Sequence, residues 1–592
     1  MSARTGALLQ LGVVAVAVAA FLVLALYQYR LPGLYYDEAG DVVPAMQLLQ
    51  GEPVTLIRGV GVHLFGRDFP VMIGDYWGVT STYAVLPLFA LFGFDVLPIR
   101  LFPILASAAA IVATYALGRR LFSGDVGALA ALLLALSPSF IFWSRIGIYV
   151  ISHIVLIALG VMLAYLSWRE RPRWWKAFLG ALLAGIGLTT KLLFVWFFIA
   201  VPAAFAAVLI YDWLAIRRAS NHRMLPAREN AATLFRRYIP APTLANAAAA
   251  VFGLCIGAFP VLYYNVVSRG SYFLLRDNFG ETERGVDNFA LLDNLRQQLE
   301  ELRIFLDGGY FWFLGGVFTN PLSTYVVGLS TLGLLLLVQL PEHARHRRTM
   351  IFLLTYAGAI FFLSCFSISI LAATHLFILF PLPQLMIAAS VFLGTQSAVR
   401  RLRPRLPWAG RYIPAIPIVA ILIYAALDLR ADVRYHDALR ETGGLTAFSD
   451  AIYGLADYLD ENGYNQPYAL DWGVRPNVMI LTDGRVEPIE IFGQSLEPGA
   501  AFEHSLDGAL AAENPIFISQ TEVSSAFPRL DRFREIVEAR GGQVVLERVF
   551  PQRNGVPAYY LFRIERGVAS LDEFMPTEPL VASPPVSLSF RP

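Results

Sequence analysis

The chain has 592 residues, of which 56% are hydrophobic and only 15% are charged. Soluble domains carry roughly 25% charged residues, so this composition excludes a disordered protein, a nucleic-acid binder with a basic face and a plain soluble enzyme. The 46 basic and 45 acidic residues nearly cancel, which indicates no polyanionic partner. Both cysteines, Cys255 and Cys365, lie in apolar runs, which argues against a disulfide framework or a cysteine-based zinc site. The remaining class is a polytopic helical membrane protein with attached soluble mass.

Apolar runs recur along the first 428 residues. A hydrocarbon core about 30 Å thick requires about 17–25 apolar residues per helix. Residues 6–27 are read as an uncleaved first span, because the run is long for a signal peptide and no small-x-small cleavage site follows it. The ten further predicted spans are 98–117, 124–142, 147–167, 174–190, 192–214, 243–265, 323–340, 350–369, 374–396 and 412–428. The sequence therefore predicts eleven transmembrane helices.

Loop charges orient these predicted helices, because cytoplasmic loops collect Lys and Arg. The short basic loops are 118–120, 169–176, 217–237, 343–348 and 400–411. All five face the cytoplasm only if the apolar stretch 81–93 is an interfacial or re-entrant helix rather than a crossing. The chain is then a multi-pass protein of the cell membrane with a cytoplasmic N-terminus and an extracytoplasmic C-terminus. The predicted external segments include the loops 28–97 and 266–322 and short turns at 144–146 and 189–191.

The composition changes near residue 429. A helix is predicted near 446–462, short β-like runs follow it, and the tail 576–592 is Pro-rich. The predicted strands are 467–472, 514–519, 543–550 and 558–564. We therefore expect an all-α polytopic membrane domain over residues 1–428 and a small extracytoplasmic α/β domain over residues 429–592.

An acidic pair follows the first predicted span. Asp37 and Glu38 are adjacent at the start of the external loop, where one carboxylate can act as general base and the other can support it or bind metal. A divalent ion, if one is bound, would be held by Asp37 or Glu38. The alternative is an ordinary acidic, solvated loop start.

Two cations fall in predicted external turns. Lys191 lies between two apolar helices, and a lone ammonium at the hydrocarbon edge is costly unless an anion such as a lipid phosphate meets it. Arg145 is predicted at the same level, and its planar fork suits phosphate. The alternatives are snorkelling for Lys191 and a helix-end anchor for Arg145.

Asp75, His153 and His375 are candidates for lining the same cavity. Loop packing for Asp75 and buried structural roles for the two histidines are the alternatives. The chain contains no P-loop motif, no HExxH and no GxGxxG after a strand, so we expect no nucleotide cofactor. The energy for a reaction must then come from the substrate, and a sugar activated on a lipid phosphate supplies it.

Together these features give a family resemblance over about residues 1–215, and a weaker one to about residue 396. The chain resembles the GT-C membrane glycosyltransferases, in the branch of protein O-mannosyltransferases and lipid A aminoarabinose transferases. The matching segments are residues 37–39 with 45–51, 83–93 with 100–101, 115–122, 137–138 with 144–145, and 187–191. Residues 74–78 replace the Glu-Lys-Pro-Pro segment of the aminoarabinose transferases, and the Trp-Trp-Asp-Tyr-Gly motif of oligosaccharyltransferases is missing. The second difference argues against en bloc glycan transfer.

The resemblance implies an inverting hexosyl- or pentosyltransferase that uses a polyprenyl-phosphate sugar. Its acceptor would be a hydroxyl on a protein or a glycolipid at the extracytoplasmic face, in protein glycosylation or cell-envelope glycan synthesis. Asp37 would be the general base, and Lys191 and Arg145 would bind the lipid phosphate. A transporter or flippase of lipid-linked glycans, or a non-catalytic membrane scaffold, is the alternative function.

Overall fold

The computed structural model describes residues 3–146, 151–221, 236, 238–240, 243–406, 412–493, 495 and 497–566. Within these ranges six helices are long and apolar enough to cross a membrane, or seven if one bent pair is a single span. The six are Ala3–Leu26, Val96–Leu121, Ile151–Glu170, Val195–Asn221, Leu244–Val267 and Leu382–Leu402. The count of eleven spans stays a prediction. Residues 147–150, most of the basic loop 217–237, residues 407–411 and the Pro-rich tail lie outside the described residues.

The predicted span 124–142 is not one straight helix. It consists of the helices Gly124–Ala135 and Pro138–Ile146, which meet at an angle of 60°. Pro138 lacks a backbone N–H and disfavours helical geometry in the residue before it, so the chain breaks there. The second helix runs through residues 144–146, which are buried. The prediction of a turn at 144–146 is therefore wrong, whereas the side of the membrane on which this segment lies stays a prediction.

Prolines also move the start of the predicted span 374–396. Residues Ala373–Leu379 form a 3₁₀ helix, and the α-helix begins only at Leu382, after Pro381 and with Pro383 in its first turn. Pro is tolerated in the first turn of a helix but not in its interior. His375 consequently lies on an irregular segment in front of the span rather than on the helix.

The remaining helices of the membrane region are shorter or more polar. The apolar stretch predicted at 81–93 is the helix Thr80–Phe92, and the amphipathic stretch of the second external loop is the helix Leu291–Asp307. The others are Tyr36–Gly40, Val43–Gln50, Trp174–Thr190, Gly270–Asp277, Ser323–Leu337, Arg347–Leu363 and Ala415–Thr442. Two small antiparallel strand pairs, Gly61–Leu64 with Arg67–Pro70 and Met72–Gly74 with Trp77–Gly78, complete the first loop.

Small residues fix the position of the turn that carries Lys191. A Cβ at Gly253 or Gly257 of the helix Leu244–Val267 would overlap the backbone of the facing helix Trp174–Thr190. This spacing of small residues lets two membrane helices approach closely. The hydroxyl of Thr189 then donates to the carbonyl of Gly257 at 2.8 Å. The end of the helix Trp174–Thr190 is thereby held against its neighbour.

The C-terminal region contains a five-stranded mixed sheet. In spatial order the strands are Ile489–Glu490, Tyr468–Ala469, Ile516–Gln520, Pro557–Arg566 and Gly542–Pro551. The helices around it are Ala451–Glu461, Arg475–Leu481, Ala500–Leu510 and Leu530–Ala539. Four strands and the first helix coincide with predicted elements, and the two-residue strand Ile489–Glu490 was not predicted.

This sheet contacts the first external loop directly. Trp472, just beyond the strand Tyr468–Ala469, packs on Tyr36 with ring centroids 4.2 Å apart. The side-chain amide of Asn477 donates to the carbonyl of Leu34 at 3.0 Å. The residues immediately before Asp37 are therefore covered by the C-terminal region.

Candidate active site

The acidic pair lies on the short helix Tyr36–Gly40 and divides into two environments. The backbone N–H of Tyr35 donates to Oε1 of Glu38 at 2.9 Å, which closes a capping interaction at the helix start. Glu38 is buried, whereas Asp37 is only half-buried. Neighbouring residues on one helical turn point in different directions, so the two carboxylates meet different partners.

Glu38 forms a buried ion pair with Arg100. Arg100 donates from Nε to Oε2 at 3.0 Å and from Nη2 to Oε1 at 2.6 Å, and both side chains are at most 1% exposed. Arg100 also donates to the carbonyls of Tyr29, Pro32 and Gly33. These contacts make Glu38 an anchor of the loop start. Of the two predicted catalytic carboxylates, we therefore propose a catalytic role only for Asp37.

Arg145 lies in the buried helix Pro138–Ile146 rather than in the predicted open turn. Its Nη2 donates to three loop carbonyls, those of Tyr27, Gln28 and Leu31, at 2.7 to 3.0 Å. Nη1 contacts Nδ1 of His436 at 3.2 Å, and the whole residue is 1% exposed. Because backbone carbonyls take up the donor Nη2, Arg145 anchors the loop, while its Nε is buried without a hydrogen-bond partner among the described residues. Its role in lipid-phosphate binding stays a prediction.

Lys191 lies where residues 76–77 of the first loop pair through their backbone with residues 191–192. Trp77 pairs with Lys191 in an antiparallel bridge, and the N–H of Leu192 donates to the carbonyl of Tyr76 at 2.8 Å. A Cβ at Gly78 would overlap the carbonyl of Thr189, so this close approach requires glycine. Lys191 itself is 5% exposed. The first loop thus fixes the ammonium-bearing turn in place.

Asp41 joins the same group, although sequence reasoning gave it no role. The indole Nε1 of Trp77 donates to Oδ1 of Asp41 at 2.9 Å. Burial lowers the pKa of Lys191 to about 8, and the carboxylates of Asp41 and Asp37 oppose that shift. The ionisable groups of Asp37, Asp41 and Lys191 therefore interact electrostatically, and we call the buried region that they share the charged chamber.

Aromatic residues border the charged chamber from both external loops. Burial, followed by the charge of Asp37, raises the pKa of Tyr76 to about 12. Burial, Glu301 and Asp37 in that order raise the pKa of Tyr310. Tyr76 belongs to the first loop that was predicted to be external and Tyr310 to the second, so both loops bring a tyrosine within electrostatic reach of Asp37.

The three residues predicted to line the cavity lie in different surroundings. Asp75 accepts two bonds from Arg58, at 2.8 and 2.7 Å, and one from the hydroxyl of Tyr264, so it stabilises the loop. His375 is half-buried and lies within electrostatic reach of Lys191. His153 is buried and lines a small cavity together with Asp41 and Glu38.

The donor set does not fit a resident metal ion. Both oxygens of Glu38 are bonded to Arg100, which removes one of the two predicted ligands. The described ranges contain no group of three or more His, Cys, Asp or Glu residues arranged to hold a metal. A site for a divalent ion usually offers several carboxylate or carbonyl oxygens.

Comparisons with known proteins agree with this architecture. Residues 81–225 match the family described as dolichyl-phosphate-mannose-protein mannosyltransferase. No curated protein sequence matches the chain.

The structure is similar to ArnT from Cupriavidus metallidurans in the apo state, with a TM-score of 0.55, 12% identity and coverage of 95% of this chain and 98% of that one. The undecaprenyl phosphate-bound form of that protein has a TM-score of 0.53 at the same identity and coverage. The archaeal oligosaccharyltransferase AglB from Archaeoglobus fulgidus, in complex with an inhibitory peptide and a dolichol-phosphate, has a TM-score of 0.50 and 14% identity, covering 93% and 74%. This chain therefore has the same fold as these solved structures, which agrees with the fold expected from its sequence motifs.

Proposed function

We propose that this chain is an integral membrane glycosyltransferase that moves a sugar from a polyprenyl-phosphate donor to an acceptor hydroxyl on the extracytoplasmic face. The observation that carries the proposal is the charged chamber, where the half-buried carboxylate of Asp37 and the buried ammonium of Lys191 act on each other. A base and a phosphate-binding cation are the two groups that this reaction requires. The N-terminus would be cytoplasmic and the C-terminal region extracytoplasmic.

Asp37 is the proposed general base. It is the more accessible of the two adjacent carboxylates, because Glu38 is enclosed with Arg100. Removing a proton from an acceptor hydroxyl while that oxygen attacks the anomeric carbon contributes typically about 10²–10⁴-fold. The proton moves to Asp37, the new glycosidic bond forms, and the bond to the phosphate oxygen breaks.

Lys191 is the proposed partner of the leaving phosphate. Negative charge develops on that group in the transition state, and a fixed cation in a partly dry site stabilises it strongly. A carboxylate on one side of the sugar and an ammonium on the other suit a single in-line displacement. We therefore expect inversion at the anomeric carbon.

The comparisons support the substrate class. The two similar proteins are described with undecaprenyl phosphate and with dolichol-phosphate, and the matching family is named for mannose transfer from a dolichyl phosphate. A polyprenyl-phosphate sugar is the corresponding donor here. The proposed acceptor is a protein or a glycolipid, and the sugar is a hexose or a pentose.

The test uses the purified full-length chain with a set of polyprenyl-phosphate sugars. Asp37→Asn is expected to lose about 10²–10⁴-fold in transfer while it retains donor affinity, because the amide has a similar shape but accepts no proton. Asp68→Asn is the matched control, since Asp68 pairs with His63 in an exposed hairpin. Full transfer by Asp37→Asn removes the proposed base, and lipid flipping in liposomes without sugar transfer favours the transporter.

A further inference from the structure

A small cavity adjoins the charged chamber at Asp41. Its volume is about 10 Å³, and its polar lining comes from Glu38, Asp41, Ser81 and His153. The rest of the lining is apolar and comprises Val42, Val85, Ile99, Phe102 and Pro103. A cavity needs about 10–15 Å³ on this measure to hold one water molecule, so the space fits one water.

Two residues of this lining hold buried polar atoms without a hydrogen-bond partner among the described residues. They are Oδ2 of Asp41 and both ring nitrogens of His153, and the two residues are 5% and 4% exposed. Glu38 differs, because its oxygens are bonded to Arg100. A buried polar group that lacks a hydrogen-bond partner destabilises the folded protein. A water needs two to four polar partners, and Asp41, His153 and Ser81 together offer them.

Asp41 is also surrounded by charge. Trp77 donates a hydrogen bond to it, and Asp37, Lys191 and Tyr76 lie within electrostatic reach of it. Glu38 and His153 line the same cavity as Asp41. Burial raises the pKa of Asp41 to about 7, Asp37 adds to that shift, and Trp77 and Lys191 oppose it. Two carboxylates beside one ammonium in a low-dielectric space do not both ionise easily.

We propose that the cavity binds a single water that links Asp41 to His153, and that Asp41 is a positioning residue held there as an uncharged carboxylic acid. The O–H at Oδ2 donates to the water, and the water donates to a neutral ring nitrogen of His153. Lys191 then faces one carboxylate, Asp37, rather than two. Its positive charge remains available to a phosphate.

The consequence rests on the proposed function, because it concerns donor binding at Lys191. When Asp41 loses its proton, a second anion appears beside the donor phosphate and repels it. Lys191 loses its own proton at higher pH, which weakens binding again. The unmodified protein should therefore lose donor affinity in two protonic steps, whereas a chain without the Asp41 carboxyl should lose it in one.

The test measures binding of methyl farnesyl phosphodiester to the full-length chain in lipid nanodiscs between about pH 6 and pH 9. This probe cannot transfer a sugar, and its phosphate keeps one negative charge throughout the range. In the unmodified protein, a plot of the logarithm of affinity against pH should fall with a limiting slope near two. In Asp41→Asn the limiting slope should be near one. The affinities of the two proteins should therefore diverge by up to about tenfold with each further pH unit. Asp68→Asn should match the unmodified protein.

The outcomes separate the two proposals. Equal slopes in the unmodified protein and Asp41→Asn overturn the inference and leave the proposed function standing. A loss of more than about tenfold in the affinity of Asp41→Asn near pH 6 also overturns the inference and leaves the proposed function standing. At that pH the substitution should only exchange a neutral acid for a neutral amide. No binding of the phosphodiester at any pH overturns both.

A second variant tests the water site itself. His153→Phe removes one partner of the proposed water without changing any residue of the charged chamber. The first protonic step should move to lower pH, because the uncharged Asp41 carboxyl loses the acceptor of its proton. The infrared C=O stretch of the protonated Asp41 carboxyl, identified by its loss in Asp41→Asn, should shift in His153→Phe. An unmoved step and an unshifted band overturn the water site.

Discussion

Three cations are buried near the proposed outer face, and they differ in what their donors meet. Arg100 and Arg145 donate to backbone carbonyls of residues 27–33. Lys191 instead shares a chamber with the carboxylates of Asp37 and Asp41. The two arginines hold the start of the first loop, and the lysine lies within electrostatic reach of two carboxyl groups.

The comparison teaches that burial and charge do not by themselves identify a binding residue. A guanidinium offers five donors in a planar fork, so several carbonyls of one folded loop can satisfy it. An ammonium is a compact charge that a single phosphate can meet. Substitutions should distinguish the anchoring role of the two arginines from the proposed phosphate-binding role of Lys191.

The largest expected effect comes from breaking the pair between Arg100 and Glu38. Arg100→Ala leaves Glu38 buried and unpaired, which should lower the free energy of unfolding by about 3–5 kcal/mol. Thermal unfolding in detergent measures the loss. Arg30→Ala is the control, because Arg30 pairs with Asp95 at an exposed position and should contribute no more than about 1 kcal/mol. Similar losses in both variants would remove the distinction between anchor and surface pair.

The second effect concerns Lys191. Lys191→Met keeps the bulk of the side chain and removes the charge, so affinity for undecaprenyl phosphate should fall about 100-fold, equivalent to about 2.7 kcal/mol. Stability should change little, because a desolvated ammonium is removed. Lys176→Met, at the other end of the same helix, should keep full affinity. Unchanged affinity in Lys191→Met would leave the phosphate without its proposed partner.

The smallest effect distinguishes Arg145 from Lys191. Arg145→Lys keeps a positive charge but loses the fork that reaches three carbonyls, so the free energy of unfolding should fall by about 1 kcal/mol. Affinity for undecaprenyl phosphate should stay unchanged in the folded protein. A binding loss as large as that of Lys191→Met would return Arg145 to the phosphate site.

Several features of the site were predictable from the chain. The acidic pair after the first span, the lone lysine in an apolar turn and the apolar helix at 81–93 are all local patterns. Asp41 could have been added, since it lies one helical turn after Asp37 in the same acidic stretch. The contact of Trp472 with Tyr36 had no sequence signal, because it joins residues more than 400 positions apart.

The sequence by itself determined the membrane class, most of the helices, four of the five C-terminal strands and the resemblance in fold, because each depends on local apolar patterning or motif spacing. Only the tertiary structure decided which charged residues are anchors and which border the charged chamber. Glu38 and Arg145 carry the same charges as Asp37 and Lys191, but packing gives them Arg100 and loop carbonyls as partners. The role of a buried charge follows from the groups that tertiary packing brings within hydrogen-bond distance, and these lie far apart in the sequence.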